Sequence, residues 1–188
     1  MTRIIAGRAR GRRLHTAPGD NTRPTTDRVR EAVFSALESA LGGWSGVRFL
    51  DLYAGVGAVG LEAVSRGAAG ATLVERDRRV VGVARRNAEL LGFDGVRVVT
   101  ARVERLVGKA EPSGQGYDVV FLDPPYSLSN DALTDVLRDL LRHGWLASEA
   151  RVVVERATRD SEPDWPVGML RDRLKRYGET SVWYVRLT

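Results

Sequence analysis

The sequence predicts an α/β fold, in which a mostly parallel sheet of seven strands carries helices on both faces. Five short apolar runs alternate with segments of helical spacing between residues 47 and 155, as in parallel sheets whose strands are joined by helices. A glycine-rich turn follows the first run and opens a helix. Residues 170–187 read as two further strands with no helix between them, which predicts an antiparallel hairpin.

The five apolar runs are four to six residues long and rich in β-branched or aromatic residues, as buried parallel strands are. They cover residues 47–52, 71–75, 96–100, 118–122 and 151–155. Helices are predicted over residues 27–41, 78–91 and 130–141, with Thr26 as the N-cap of the first. The terminal strands, 170–176 and 181–187, are expected to close one edge of the sheet, and residues 111–116 are expected to form a surface loop.

The N-terminal segment differs from the rest in charge. Residues 1–30 contain eight arginines and two acids, a net of +6, so the other 158 residues carry about −1 of the total of +5. Residues 3–16, punctuated by Gly7 and Gly11, predict a small β-hairpin. We therefore divide the chain into a basic arm, 1–24, and an α/β domain, 25–188.

A basic arm on a near-neutral body favours a polyanionic partner, and nucleic acid is the expected one. A general preference for arginine, 27 against two lysines, explains the residue type but not its concentration at one end. The arginines expected to contact RNA are Arg3, Arg8, Arg10, Arg12, Arg13, Arg23 and Arg28.

Composition argues against several other classes of protein. The chain has no cysteine, no apolar stretch near the ~18 residues that span a bilayer, and no secretory signal at its start. His15 and His143 are isolated in the sequence, so we expect no metal site. These features fit a cytoplasmic enzyme with no membrane partner, and the lack of an extra apolar helix predicts a monomer.

The glycine-rich turn is a candidate cofactor site. Gly55, Gly57 and Gly60 match Gly-x-Gly-x-x-Gly, and Glu75 ends the second strand 20 residues after Gly55. This spacing fits a nicotinamide dinucleotide and equally S-adenosylmethionine, because in both a carboxylate can accept hydrogen bonds from the ribose hydroxyls. A tight turn that binds no ligand is the remaining alternative.

Asp51 distinguishes between the two possible cofactors, because it ends the first strand directly before the turn. A carboxylate there would repel a pyrophosphate, whereas the ammonium and sulfonium of S-adenosylmethionine are cationic and would be attracted. Seven strands with a terminal hairpin is also the usual layout of Rossmann-like methyltransferases, so the sequence favours S-adenosylmethionine.

The second motif, Asp123-Pro124-Pro125-Tyr126, follows the fourth strand, at the edge where open α/β sheets bind ligands. Consecutive prolines stiffen this loop. An exocyclic amine on a nucleobase is a poor nucleophile, because its lone pair is delocalised into the ring. The Asp123 carboxylate and the Pro124 carbonyl can each accept one N–H bond from it and aim it at a methyl donor, an orientation effect worth ~7–11 kcal/mol. Tyr126 is expected to stack on the extruded base, for roughly 1–3 kcal/mol.

Together with further segments, these motifs resemble the RsmD-type small-subunit rRNA guanine-N2 methyltransferases over nearly the whole chain. The most specific segment is Arg-Pro-Thr-Thr-Asp-Arg-Val-Arg-Glu at 23–31, which generic methyltransferases lack. The others are 3–7, 51–55, 60–63, 65–68, 74–77 and 177–180.

The resemblance implies a Rossmann-like class I fold, S-adenosylmethionine as cofactor without a metal, and methylation of one guanine N2 in 16S rRNA on assembled or partly assembled small ribosomal subunits. It places segment 23–31 over the cofactor pocket and the basic hairpin against RNA. Arg102 departs from the family, which often has Asp or Asn there, so adenine recognition is expected to use the Val103 amide. The expected cofactor-binding residues are Thr25, Thr26, Asp51, Tyr53, Ala54, Gly55, Gly57, Glu75, Arg76, Arg102, Val103 and Asp123.

Three alternatives stay open. The tetrapeptide suits an adenine N6 amine of DNA or RNA as well as a guanine N2, although no target-recognition domain of a DNA-modifying enzyme is evident. Methylation of a protein glutamine usually comes with Asn rather than Asp at position 123. A non-catalytic RNA-binding assembly factor for the ribosome would need neither Asp123 nor the glycine-rich turn.

Overall fold

A computed structural model describes residues 2–17 and 27–188. Seven strands form one sheet, with helices between the first five. The helices are α1 (Asp27–Leu41), α2 (Ala58–Arg66), α3 (Arg78–Leu91), α4 (Val103–Val107) and α5 (Asn130–Arg142). The strands are β1 (Arg48–Leu52), β2 (Gly70–Glu75), β3 (Val96–Thr100), β4 (Tyr117–Leu122), β5 (Leu146–Ala157), β6 (Met169–Tyr177) and β7 (Thr180–Leu187).

The strand order is β3-β2-β1-β4-β5-β7-β6. Strands β1 to β5 are parallel to one another, whereas β7 runs antiparallel to both β5 and β6. The predicted Rossmann-like class I arrangement with a C-terminal antiparallel hairpin is therefore confirmed. The strand order changes direction between β1 and β4. Such a switch point opens a ligand-binding crevice at the carboxyl ends of the strands.

Element boundaries agree closely with the sequence pattern where that pattern is apolar. The predicted bounds of α1, α3 and β3 are those observed. Strand β5 begins at Leu146 rather than Arg151, because its first residues are partly exposed and include a register shift opposite β4. Helix α4 was not predicted, since five residues are too short for a helical period. The predicted N-cap Thr26 lies outside the described residues.

Apolar side chains fill both faces of the sheet. One face packs against α1, α2 and α3 through residues such as Phe34, Phe49 and Leu61. The other packs against α4 and α5 through residues such as Leu122, Leu137 and Val154. Both faces of the parallel strands are thus buried, which leaves their carboxyl edge as the place for chemistry. No helix within residues 2–17 or 27–188 combines the length and apolarity needed to cross a membrane.

The N-terminal hairpin forms and is fixed to the domain by buried polar groups. Arg3 and Arg13 make an antiparallel bridge, and Ile4 is part of the core. The Glu62 carboxylate of α2 is completely buried and accepts the N–H groups of Ile5 and Ala6 at 2.7 and 2.9 Å.

Side chains from α2 and α3 hold the rest of the segment. Ser65 Oγ accepts from the Ala9 N–H at 3.0 Å, and Asn87 Oδ1 accepts from the His15 N–H at 2.8 Å. Since these buried groups would lose their partners if the hairpin left, the hairpin packs as part of the α/β domain. The predicted boundary at residue 24 lies outside the described residues.

Gly7 allows this close approach. Its φ is +79°, and a Cβ there would lie 1.9 Å from the Ser65 carbonyl oxygen. Gly11 has a φ of +81° but no atom within 4 Å of its Cβ position. We expect Gly11→Ala to cost about 1–2 kcal/mol of unfolding free energy, from the backbone alone. Gly7→Ala should cost about 1–3 kcal/mol more, from overpacking. Urea unfolding of both variants measures the difference, and equal losses would show that the hairpin is not tightly docked.

Candidate active site

A cavity of about 440 Å³ opens at the carboxyl ends of β1, β2 and β4. Its size falls within the range of small-molecule and cofactor pockets. The cavity is lined by three of the predicted motifs, namely the turn after β1, the end of β2 and the loop after β4. The predicted residues on its wall are Asp51, Tyr53, Ala54, Gly55, Glu75, Arg76, Arg102, Val103, Asp123 and Pro125.

The glycine-rich turn is shaped by close packing. Gly57 caps α2 with a φ of 87°, a conformation that favours glycine. A Cβ on Gly60 would lie 2.1 Å from Leu73 Cδ2, so only glycine lets α2 approach the sheet this closely. Tyr53 is the one non-glycine residue with positive φ, 63°, within the described ranges. Such backbone strain concentrates at functional sites.

Asp51 is 2% exposed at the end of β1. Its Oδ2 accepts the Gly60 N–H at 2.8 Å. Burial raises the pKa of the Asp51 carboxyl to about 7, against the opposing effect of the Gly60 hydrogen bond, and Glu75 adds to the rise. A carboxylate that is costly to ionise in this cavity would be stabilised by a bound cation.

Glu75 is held by three backbone donors at the end of β2. Its Oε2 accepts the Gly55 N–H at 3.1 Å, and its Oε1 accepts the N–H groups of Arg76 and Asp77 at 2.7 and 2.9 Å. Because a carboxylate offers about four lone-pair sites, Glu75 keeps capacity for one further donor. The glycine-rich turn and the end of β2 are therefore tied together by the residue predicted to bind ribose.

Residues around α4 complete this side of the cavity. The Tyr53 hydroxyl donates to Glu104 Oε1 at 3.1 Å. Burial, and after it the neighbouring Glu104, raises the pKa of Tyr53 above its usual range. The Arg102 guanidinium is more than half exposed and lies 3.7 Å from Glu104. Val103 is buried at the first position of α4, where backbone N–H groups lack helical partners. Glu104 was not predicted, because its role depends on the unpredicted α4.

The catalytic-loop candidates divide between two cavities. Asp123 and Pro125 line the first. Pro124 is buried, and within the described chain its carbonyl makes no hydrogen bond. Tyr126 is 61% exposed and lines a second cavity, of about 380 Å³, that continues past the loop. The tetrapeptide thus forms a partition between a cofactor-sized cavity and an open one.

Asp123 lies in a row of acids that sequence reasoning did not find. Leu122 and Val154 are register partners on β4 and β5, so the residues after them, Asp123 and Glu155, are neighbours on one face. Glu155 is 7% exposed. Burial raises the pKa of Asp123 well above its usual value, and the nearby carboxylates of Glu155 and Asp51 raise it further.

Arg156 offsets part of this negative charge and braces the loop. Its charge lowers the pKa of Asp123. The side chain is 5% exposed, its Nη1 donates to the Leu128 carbonyl at 2.9 Å, and its Nε donates to Asp160 at 3.1 Å. The sequence contains one hint of this role. Arg156 stands near the end of an apolar strand, where a buried charge must find partners.

The N-terminal segment reaches the first cavity. Thr2 and Arg30 both line it, and Arg30 is 1% exposed, with Nη2 donating to the Arg3 carbonyl. Neither residue was predicted to border the pocket. Thr25 and Thr26, which were, lie outside the described residues.

The arginines predicted to bind RNA are exposed but not equally free. Arg3 is paired with Asp27 at 3.1 Å, the Arg8 guanidinium lies 4.5 Å from the Phe93 ring centroid, and Arg12 donates to the Leu90 carbonyl. The remaining described ones make no ion pair with other described residues, and Arg23 lies outside the described part. These free arginines are Arg10, Arg13 and Arg28.

No metal-binding group is formed by the described side chains, since no three His, Asp or Glu residues among them converge as ligands.

The chain is similar to known proteins over almost its whole length. The family model described as "Conserved hypothetical protein 95" matches residues 2–186. Ribosomal RNA small subunit methyltransferase D of Escherichia coli K12 is 37% identical, over 95% of this chain and 86% of the relative.

Solved structures extend the likeness to three dimensions. The Escherichia coli protein yhhF has a TM-score of 0.86 at 35% identity, covering 99% of this chain and 97% of its own. A hypothetical protein of Thermus thermophilus has a TM-score of 0.80 at 33% identity, covering 98% of each chain. The chain therefore belongs to the family described as conserved hypothetical protein 95, the RsmD family that its sequence motifs resemble.

Proposed function

We propose that this chain is an S-adenosylmethionine-dependent rRNA methyltransferase that modifies the N2 amine of a guanine in small-subunit rRNA. One observation carries the proposal: Asp51 and Asp123, each from a predicted motif, line the same cavity at the carboxyl edge of the sheet. The name of the Escherichia coli relative supports rRNA as the substrate class. The choice of guanine N2 over adenine N6 rests on the family resemblance, because the loop suits either amine.

The residues of the cavity fit S-adenosylmethionine. Asp51 is a buried carboxyl whose ionised form a cationic amino group would stabilise, and Glu75 has a lone pair left for a ribose hydroxyl. Val103 would offer a backbone N–H to the adenine, and Tyr53 and Arg102 lie beside it on the wall. When bound, the cofactor supplies an electrophilic methyl group on a sulfonium.

Asp123 and Pro124 orient the nucleophile in this proposal. The loop is fixed at both ends, by Asp123 N–H donating to the Leu52 carbonyl at 3.5 Å and Leu128 N–H donating to the Pro125 carbonyl at 2.9 Å. The Asp123 carboxyl and the unused Pro124 carbonyl can each accept an N–H from the base amine, which directs its lone pair into the cofactor cavity. Holding the amine in this geometry is the main source of rate enhancement.

Glu155 suggests where the reaction's proton goes. Methyl transfer leaves the amine nitrogen with a positive charge, and this nitrogen must lose one proton. Asp123 lies beside Glu155, and its raised pKa makes its carboxylate a better proton acceptor than an ordinary aspartate. With both carboxyls ionised before the reaction, one proton shared between them relieves their mutual repulsion, so the pair can take up the proton that the amine releases.

Tyr126 is proposed to stack on the extruded base. Its ring is exposed on the open side of the loop, and base–aromatic stacking is worth roughly 1–3 kcal/mol. The N-terminal arginines are proposed to contact the rRNA backbone. Recognition of an assembled small subunit, a monomeric state and a cytoplasmic location stay predictions.

Removing the Asp123 carboxyl tests the mechanism. We expect Asp123→Ala to lower kcat for methyl transfer by about 10²–10⁴-fold while cofactor affinity changes little. The matched control is Asp94→Ala, which removes an exposed carboxylate just before β3, at the amino ends of the strands. Radiolabelled methyl transfer and calorimetric cofactor titration give the two readouts. Near-normal turnover of Asp123→Ala would contradict the mechanism.

The raised pKa of Asp51 predicts how cofactor binding depends on pH. Above about pH 7 Asp51 is ionised in the free protein and can pair with the ammonium. Below that pH it must lose a proton on binding, so affinity should fall by up to about tenfold per pH unit.

Calorimetry between pH 5.5 and 8.5 measures this slope, and Asp51→Asn should flatten it. In the cofactor-free protein the same raised pKa makes the stability contribution of Asp51 decrease as pH rises from about 4 to about 7. A cofactor affinity that is independent of pH in the unmodified protein would exclude Asp51 as the partner of the ammonium.

The N-terminal contact with RNA is tested on Arg10 and Arg13, the two hairpin arginines whose side chains make no ion pair or hydrogen bond with another described residue. Arg10→Gln with Arg13→Gln should weaken binding to small-subunit rRNA and lower the slope of log affinity against log salt by about 1.5. Arg138→Gln with Arg142→Gln, on exposed positions of α5, is the control with the same loss of charge. If the two double variants have the same salt slope, the hairpin is not an RNA contact.

A further inference from the structure

The edge strand β6 carries a concentration of positive charge that the proposed function has not used. It contains four cationic residues and one acid, Asp172, and all four cations are exposed. They are Arg171, Arg173, Lys175 and Arg176. The sequence analysis did not predict this charge, because residues 31–188 are near-neutral as a whole.

These four cations differ in how far their charge is neutralised. Arg171 is paired with Glu162 at 2.6 Å, and the Arg173 guanidinium lies 5.5 Å from the Tyr184 ring centroid. Lys175 and Arg176 form no ion pair or side-chain hydrogen bond with any residue in 2–17 or 27–188. Two charges at the edge of the sheet are thus available to an external anion.

Strand register places these charges level with the catalytic loop. Glu155, the neighbour of Asp123, pairs with Val182, and Val182 pairs with Lys175. Register partners share a face of the sheet, and adjacent strands are about 4.8 Å apart. Lys175 therefore lies in the same row as Asp123, about 14 Å away across three strand spacings. Arg176 lies one residue closer to the carboxyl edge, on the other face of this edge strand.

Arg159 lies close to Tyr126, and the residue before it is bonded to the turn that follows β6. Its guanidinium lies 5.7 Å from the Tyr126 ring centroid. The adjacent Thr158 is bonded to the β6–β7 turn, with its N–H donating to the Glu179 carbonyl at 2.8 Å and its Oγ1 donating to the Gly178 carbonyl at 3.1 Å. Arg159 therefore lies between the exposed ring and the β6–β7 turn, which directly follows the end of β6 where Lys175 and Arg176 stand.

Arg159, Lys175 and Arg176 lie on the opposite side of β4 from the N-terminal hairpin. The hairpin packs on α2 and α3, which cover β1, β2 and β3, whereas β6 is the other edge of the sheet and β4 is its centre. An RNA whose target base enters beside Asp123 would leave the site with flanking nucleotides on both sides. Positive charge on one side alone would hold only one of them.

We propose that Arg159, Lys175 and Arg176 form a second RNA-binding surface, which holds the phosphates of nucleotides flanking the target base on the side away from the N-terminal hairpin. This proposal rests on the proposed function, since it concerns the same RNA. Arg159 would shift from the Tyr126 ring to a phosphate, or to the second face of the base, when the base stacks on Tyr126.

Protection of an edge strand from unwanted pairing is the competing explanation. Charged side chains of either sign prevent edge-to-edge association, so that role would be served equally by Glu at positions 175 and 176. It also gives no reason for the position of Arg159 over Tyr126. Reversing the charge on β6 therefore separates the two explanations, because it keeps the edge charged and removes only the attraction for RNA.

The test compares Lys175→Glu with Arg176→Glu against Arg138→Glu with Arg142→Glu, a control of equal charge change on exposed positions of α5. Binding to protein-free 16S rRNA is measured from 50 to 200 mM salt, together with KM and kcat for its methylation. We expect the β6 variant to bind at least about tenfold more weakly at 100 mM salt, with a salt slope lower by about 1.5. Its KM for RNA should rise, while kcat, cofactor affinity and the urea midpoint stay those of the control.

The outcomes separate this proposal from the proposed function. If the unmodified protein binds and methylates the RNA but both double variants do so equally, the second surface is wrong and the proposed function stands. If the unmodified protein neither binds nor methylates 16S rRNA, whether protein-free or within small ribosomal subunits, both are wrong. Should the charge reversal impair folding, Lys175→Gln with Arg176→Gln is used, and an unchanged salt slope for that variant overturns the surface.

Discussion

Asp51 ends β1 almost without contact with solvent, and its carboxylate accepts a hydrogen bond from the Gly60 N–H of α2. This contact depends on Gly60 having no side chain, because a Cβ would collide with Leu73. It fixes the glycine-rich turn between strand and helix, and the turn in turn forms one wall of the cavity. The register of β1 with β4 then brings the loop that begins at Asp123 to the other wall. A shift in the Asp51–Gly60 contact would therefore displace both halves of the site.

The same arrangement concentrates negative charge at the sheet edge. Asp51, Asp123 and Glu155 lie at the carboxyl ends of three adjacent strands, on one face, and Arg156 is a nearby cation that opposes them. Burying carboxyls this closely is unfavourable, so such a row has to be offset by whatever binds there. A cationic methyl donor and a released proton are both species that this environment stabilises. The polar anchoring of the N-terminal hairpin by Glu62 and Asn87 holds Thr2 and Arg30 against the same cavity.

The sequence pattern was sufficient for features that depend on local spacing or apolar periodicity. It predicted the parallel sheet, the terminal hairpin, the glycine-rich turn and the loop after β4, because each is encoded in a short continuous segment. Glu155 and Lys175 could not be found in this way, since their positions relative to Asp123 depend on strand register between distant segments. Glu104 was missed because α4 has no complete helical period. The engagement of Arg3, Arg8 and Arg12 depends on side-chain packing across the domain, which composition does not specify.

In the proposed function, Asp123 and the Pro124 carbonyl present a guanine N2 amine of small-subunit rRNA to a bound methyl donor. Its most direct test is to incubate the purified chain with protein-free or subunit-bound 16S rRNA and isotope-labelled S-adenosylmethionine, and then to analyse the digested nucleosides by mass spectrometry. We expect label in N2-methylguanosine, at one position when the RNA is mapped. Label in N6-methyladenosine would contradict the choice of base, and label in protein alone, or no transfer to either RNA substrate, would contradict the proposed function as a whole.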